Sequence, residues 1–292
     1  MRKTSDGLLT TFAWISGVGI LLSVMLLLGF LLLRGTKSID LPLFFGDTPW
    51  FEAVTGTRPV FDGIWPALVG TFLLVILSSA ISIPIGIASG IYLAEYASSR
   101  LQSFLGFMVD LLSGTPSIVM GLFGFTMILT LRKTVLPGAR TGLFLAALCI
   151  ALLILPYVIR TTESAIEAIP EHLRLLGPSL GLTRWQNIRR VLVPVASRGI
   201  LSGAILAIGR ASEDTAVILL TGVVARAGMP GSLWDKFEAL PFRIYYLAAE
   251  HQNQRELDQG FGTALVLLCI TGLLFLAAFL LQKSMENRWK TR

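Results

Sequence analysis

A chain of 292 residues with 54% hydrophobic and only 14% charged residues is too poor in charge for a water-soluble domain, where about a quarter are Asp, Glu, Lys or Arg. Its 24 basic and 18 acidic residues leave a net charge of +6, but they are clustered, so placement carries more information than the total. A soluble enzyme, a disordered chain and a nucleic-acid binder are disfavoured, and Cys149 and Cys269, both inside apolar runs, offer neither a disulfide framework nor a thiolate metal site.

Six apolar stretches are long enough to cross a hydrocarbon core as helix. The first, 7–33, follows Arg2 and Lys3; it exceeds a signal-peptide core and has no clear small-x-small cleavage site before Arg34, so it reads as a retained anchor. The second is 63–94, where Gly86 and Gly90 form a GxxxG pair suited to close helix packing. The third is 111–131, extending back past Asp110, and the fourth is 141–159. The fifth, 199–225, carries Arg210, Glu213 and Asp214 in its middle, and the sixth is 259–282. Pro84, Pro116 and Pro156 interrupt the second, third and fourth, while Trp65, Tyr92, Tyr96 and Tyr245 suit interfacial anchors. None of the runs alternates as a barrel strand does. The expected fold is an all-α, polytopic membrane bundle of about six transmembrane helices in contact with the lipid bilayer.

With the N-terminus in the cytoplasm, the inner segments collect most of the excess positive charge, among it Arg100, Arg160, Arg174, Arg184, Arg189, Arg190, Arg198 and Lys283. Both termini then face the cytoplasm, and the longest inner segment is 160–198. Leu173, Leu176 and Leu180 recur there at helical spacing; Pro170 suits a helix start, Gly181 a stop, and Val191, Val193 and Pro194 lead into the fifth span. Such a short amphipathic helix lies on the bilayer or docks into a groove on a partner.

Gly181 followed by Val191-Leu-Val-Pro194 resembles the EAA loop of ABC importer permeases, whose short helix couples the membrane subunit to an ATPase. The position of the acid that names the loop holds Leu175, beside Leu176, and Glu171 stands one turn earlier as its substitute. Ile83 to Tyr96, Gly114 to Phe123, Tyr157 to Glu163 and Ile208 to Ala216 are similar to the PstA-type permeases of phosphate importers, from about Trp65 to the C-terminus. The resemblance implies the ABC transporter type-1 (MetI-like) permease fold in the bacterial inner membrane. It divides the chain into an anchor and external loop (1–64), a permease domain (65–285) with a coupling loop (160–198), and a cytoplasmic tail (286–292). The partners it implies are a PstC-type second permease, a PstB-type ATPase dimer, a PstS-type external phosphate-binding protein, and phosphate. ATPase contact falls to Glu171, Leu175, Leu176, Gly181, Val191 and Pro194.

A guanidinium fork offers paired donors to a phosphate losing its hydration shell, and Arg210, about 18 Å into its run at 1.5 Å per residue, sits near mid-membrane. Its motif, Arg210-Ala-Ser-Glu-Asp-Thr215, differs from the family's Arg-Ala-x-Gly-Glu-Thr by placing Glu213 and Asp214 beside the arginine. The acids either neutralise Arg210 as a packing cluster or line the substrate path with it. Their net charge of −1 calls for another cation, either Arg160 or an arginine of a partner permease. Arg160 is also compatible with snorkelling, and Asp110 with a polar face near the cytoplasm. Sulfate or molybdate would place the same demand on Arg210, and an ion-coupled carrier is a more distant alternative. No Gly-x-x-x-x-Gly-Lys-Ser/Thr loop occurs, so the expected role is a transport subunit without its own ATPase site or cofactor. His172 and His251 fall on opposite sides of the membrane, so no metal site is expected.

Overall fold

Runs of Leu, Ile, Val and Ala in lipid leave backbone groups no partner but one another, and each becomes helix. The computed structural model describes residues 2–290, so the last two residues of the expected tail, 291 and 292, lie outside the described residues. The helices are α1 (Arg2–Gly35), α2 (Leu41–Phe45), α3 (Trp50–Thr55), α4 (Trp65–Glu95), α5 (Ser99–Ser113), α6 (Ser117–Thr134) and α7 (Leu143–Glu167). After these come α8 (Glu171–Arg174), α9 (Leu176–Ser179), α10 (Arg184–Asn187), a π turn (Ile188–Leu192), α11 (Val193–Glu213), α12 (Ala216–Thr221), α13 (Leu240–Glu250) and α14 (Gln254–Lys290). Six helical stretches are long and apolar enough to cross a membrane, as expected: Leu9–Ser38, Trp65–Glu95, Ser117–Thr134, Leu143–Glu167, Arg184–Glu213 and Gln254–Leu280. Among the described residues the β-structure is a single parallel bridge between Val223 and Phe237.

The central helix is α7, with Ile150, Ile154, Val158 and Ile166 fully buried. It packs on α4, α11, α6, α5 and α12. Contact with α4 depends on the GxxxG pair: a Cβ on Gly86 would lie 2.7 Å from Val158 Cβ, and one on Gly90 2.7 Å from both Ile159 O and Thr162 Cβ. Small residues let the two backbones approach, which is where dispersion between apolar helices comes from in lipid. Pro84 and Pro156 lie inside continuous helices, so they do not break the second and fourth spans; Pro116 does, by separating α5 from α6.

Helix α1 packs mainly on α14 and on the short turn after itself, with Gly35 against Phe261 O and an edge-to-face pair of Phe30 and Phe261 at 5.5 Å. Its apolar side chains are otherwise exposed, as a lipid-facing helix requires. The segment between α12 and α13 folds back over α4: Leu240 N–H donates to Thr71 Oγ1, and buried Glu238 pairs with Arg243 at 3.2 Å. Burial pushes the Glu238 carboxyl above its ordinary range, and Arg243 opposes that shift.

Candidate functional site

The fifth apolar run, 199–225, is not one helix. The helical rod starts fifteen residues earlier, at Arg184, and stops at Glu213, inside the run. Early helix follows from Ile188, Leu192, Ala196 and Ile200, which recur every four residues and form one buried stripe. Pro194 removes an N–H from this rod, and the chain absorbs the defect with the π turn just before it, where Val193 N–H reaches back five residues to Ile188 O. The stop is made by Asp214: its backbone turns extended (ψ 116°), and its Oδ1 accepts the Val217 N–H at 2.9 Å, which starts α12.

Tight contacts place this break relative to α7. Gly199 packs on Ala165, Gly203 on Thr161 and Gly222 on Gly142, so α11 and α12 run antiparallel to α7 in one register. That register sets Arg210 level with Ile154, near the middle of Leu143–Glu167. Arg210 Nη2 lies 3.2 Å from Asp214 Oδ2; the arginine side chain is 42% exposed and the aspartate 2%. Asp214 is therefore a buried cap and anchor for Arg210 rather than an open acid along a path. Glu213 is exposed, and no ion pair joins it to Arg210 among the described residues. Tyr157 and Ser164 on α7 and Ser202, Leu206 and Arg210 on α11 are exposed, with Thr161 half-buried between them, so a largely polar strip leads from Arg210 toward the α8 end. The second broken span is adjacent, because α6 packs on α12 where Gly121 meets the carbonyls of Ala216 and Val217.

Arg160 does not join Arg210. Its Nε and Nη2 grip Asp110 Oδ1 and Oδ2 at 2.9 and 2.6 Å, Nη1 donates to Glu163 Oε2 at 2.7 Å, and Nη2 donates to Gly106 O at 2.7 Å. Gln102 adds hydrogen bonds to Glu163 and Glu167 at 3.3 and 2.8 Å, so α5 is tied to α7 by a polar seam. The cation balancing Glu213 is thus not supplied by Arg160 in this conformation.

Within 160–198 only residues 168–183 leave the long helices; Arg160 to Glu167 belong to α7, and Val191 and Pro194 lie half-buried in the rod that becomes α11. The loop itself is folded. Arg174 bonds Ile166 O at 2.9 Å and Glu95 at 3.1 Å, Asn187 donates to Arg174 O at 3.2 Å, and the Arg184 guanidinium lies 4.6 Å from the Tyr96 ring centre. Gly177 fits flush against the Asn187 side chain, and Gly181 takes φ +73° at the helix stop. Leu173 is turned inward, half-buried against the apolar cluster that contains Ile166, Ile169 and Ile188. The exposed residues of this segment include Glu171, Leu175, Leu176, Leu180 and Trp185, and the four apolar ones form a tip left open among the described residues.

Six membrane-length helices, two apolar runs that break beside a half-exposed arginine, and a folded loop with an exposed apolar tip define a polytopic membrane protein. The chain belongs to the family of binding-protein-dependent transport system inner membrane components, which matches residues 82–291. It is 30% identical to "Phosphate transport system permease protein PstA 1" of Mycobacterium tuberculosis over 96% of this chain and 90% of that one. It is 31% identical to the PstA phosphate permease of Pasteurella multocida, over 97% of each, and 33% identical to that of Xylella fastidiosa, over 88% of this chain and 86% of the other. Among solved structures it is similar to the inward-facing MetNI methionine ABC transporter, with a TM-score of 0.61 and 20% identity, over 76% of this chain and 97% of that chain. An amino acid ABC transporter matches at TM-score 0.51 and 16% identity, over 82% and 99%. The fold is therefore the type-1, MetI-like permease fold of a multi-pass membrane protein.

Proposed function

We propose that this chain is the PstA-type permease subunit of an ATP-driven phosphate importer in the bacterial inner membrane, forming half of the path beside a PstC-type permease. Energy comes from a PstB-type ATPase dimer and substrate from a PstS-type external binding protein. The observation that carries the reading is Arg210: a half-exposed guanidinium at mid-depth, held by buried Asp214, at the end of a largely polar strip that is open among the described residues. A charge kept at such depth faces a partner, a cavity or a solute. The permeases of Pasteurella and Xylella named for phosphate transport support phosphate over other oxyanions. Arg210 and Arg160 lie along the path, Asp214 positions Arg210, and Glu213 faces the path or the second permease.

With both termini in the cytoplasm, Leu175, Leu176 and Leu180 with Glu171 face the ATPase, while Gly181, Val191 and Pro194 shape the segment behind them. Leu176→Asp together with Leu180→Asp is expected to cut ATPase co-purification at least ten-fold without loss of the permease from the membrane, as about 1.5 to 3 kcal/mol of burial per leucine would be forfeited. Quantitative pull-down from detergent extract checks this.

The substrate is tested in proteoliposomes containing the whole complex, by ATP-dependent uptake of radiolabelled phosphate with unlabelled phosphate, sulfate or molybdate as competitors. Unlabelled phosphate is expected to compete best. Stronger inhibition by either of the others would overturn the phosphate assignment, and uptake driven by an ion gradient without ATP would overturn the ABC reading.

A further inference from the structure

The seam between α5 and α7 holds its partners unequally. Glu163 sits three residues from Arg160 on the same helix, with its side chain 5% exposed. Asp110 belongs to the other helix and is 62% exposed, yet it takes the side-on Nε and Nη2 edge of the guanidinium with both oxygens. This edge is the one that a carboxylate and a tetrahedral oxyanion bind in the same paired geometry. An exposed carboxylate regains its hydration on leaving, whereas Glu163 would be stranded as a buried charge. Asp110 is the partner that can be exchanged.

Its helix can follow by releasing the Gln102 and Gly106 bonds of the same seam. The span breaks at Gly114, Thr115 and Pro116, just after α5, and an apolar cleft of about 460 Å³ lies between Leu105, Met108 and Val109 of α5 and Leu93, Leu155 and Ile159 of α4 and α7. With α5 in place, Arg160 faces Asp110, Glu163 and Glu167, a field that repels anions, and its hydrogen bonds are directed at protein oxygens. Moving α5 away removes the Asp110 charge and bares the fork in a single step.

We propose that Asp110 is a displaceable counter-ion for Arg160: its carboxylate occupies the guanidinium edge that a tetrahedral oxyanion takes on its way through, so α5 and the anion compete for one site. The inference deepens the reading of Arg160 as part of the path and rests on it. Asp110 acts here as a specificity and gating residue, since only an anion able to form the paired bonds replaces it.

The test uses the purified complete complex in nanodiscs. Phenylglyoxal modification of Arg160 is followed by mass spectrometry while inorganic phosphate is titrated as protectant. Asp110→Asn is expected to lower the half-protecting phosphate concentration at least ten-fold and to raise the unprotected modification rate several-fold. Asp110→Glu should stay near wild type. Equal half-protecting concentrations in wild type and Asp110→Asn would overturn the competition, and so would failure of Asp110→Asn to assemble, which would make the pair a fixed strut. Phosphate that protects Arg160 in neither protein would instead overturn the passage of substrate by Arg160.

Discussion

Phosphate uptake is expected to fall about 100-fold in Arg210→Gln combined with Asp214→Asn, with assembly of the complex retained. The fork offers an anion two charge-assisted hydrogen bonds, each worth roughly 1.5 to 3 kcal/mol. Losing about 3 kcal/mol along the path corresponds to two factors of ten in rate. The second substitution matters because Asp214 is buried against Arg210. Arg210→Gln alone strands that carboxylate, at a cost of roughly 3 to 5 kcal/mol, and would lower abundance as well as transport. The Asp214→Asn change keeps a side-chain oxygen for the Val217 N–H and removes the stranded charge. Arg210→Lys separates the remaining contributions: the ammonium still neutralises Asp214, so abundance holds, while the loss of the planar fork lowers uptake about ten-fold. The measurement is initial uptake per assembled complex in proteoliposomes. Wild-type rates in the double variant would remove Arg210 from the path.

The largest effect on assembly is expected at the α4 and α7 contact. Gly90→Leu puts a Cβ 2.7 Å from the Ile159 carbonyl, which belongs to backbone and cannot turn aside. Overpacking of this kind costs about 1 to 3 kcal/mol where side chains can yield, and more where backbone must shift. The expected result is loss of most assembled complex and a lower unfolding temperature in detergent, with Gly86→Leu, against Val158, close behind. Gly19→Leu, which has nothing within 4 Å of its Cβ site, serves as the control and should leave both unchanged. A stable, fully assembled Gly90→Leu complex would mean that the two helices do not need this close approach.

Much of the architecture is legible in the residues, because lipid admits few solutions: six apolar stretches of helical length, one of them carrying three charges, announce the observed six membrane-length helices. The GxxxG spacing likewise announces the α4 contact, although not its partner. The extent of the fifth helix is lost to charge counting, which excludes Arg184 to Arg198 from any apolar run. The signal that finds it is periodicity, in Ile188, Leu192, Ala196 and Ile200, which bury one face while the arginines stay outside. In the coupling loop, helical spacing predicts one outward face through Leu173, Leu176 and Leu180. Ideal periodicity misses the outcome, because contacts from Glu95, Asn187 and Tyr96 reorient two single-turn helices.

What the sequence determines by itself is the class of solvent the chain lives in, the number of crossings, and the short list of charges expensive enough to matter. Those follow from composition and spacing, which act locally. The tertiary structure decided what each charge does. Arg210 and Asp214 are close in sequence, but the helix stop between them, made when Asp214 captures the Val217 N–H, turned the acid inward and left the arginine half-exposed. Arg160 and Asp110 are fifty residues apart, and only the packing of α5 on α7 brings their charges together. Charge pairing depends on distances of about 3 Å, and those are set by packing between helices, on which the order of residues is silent.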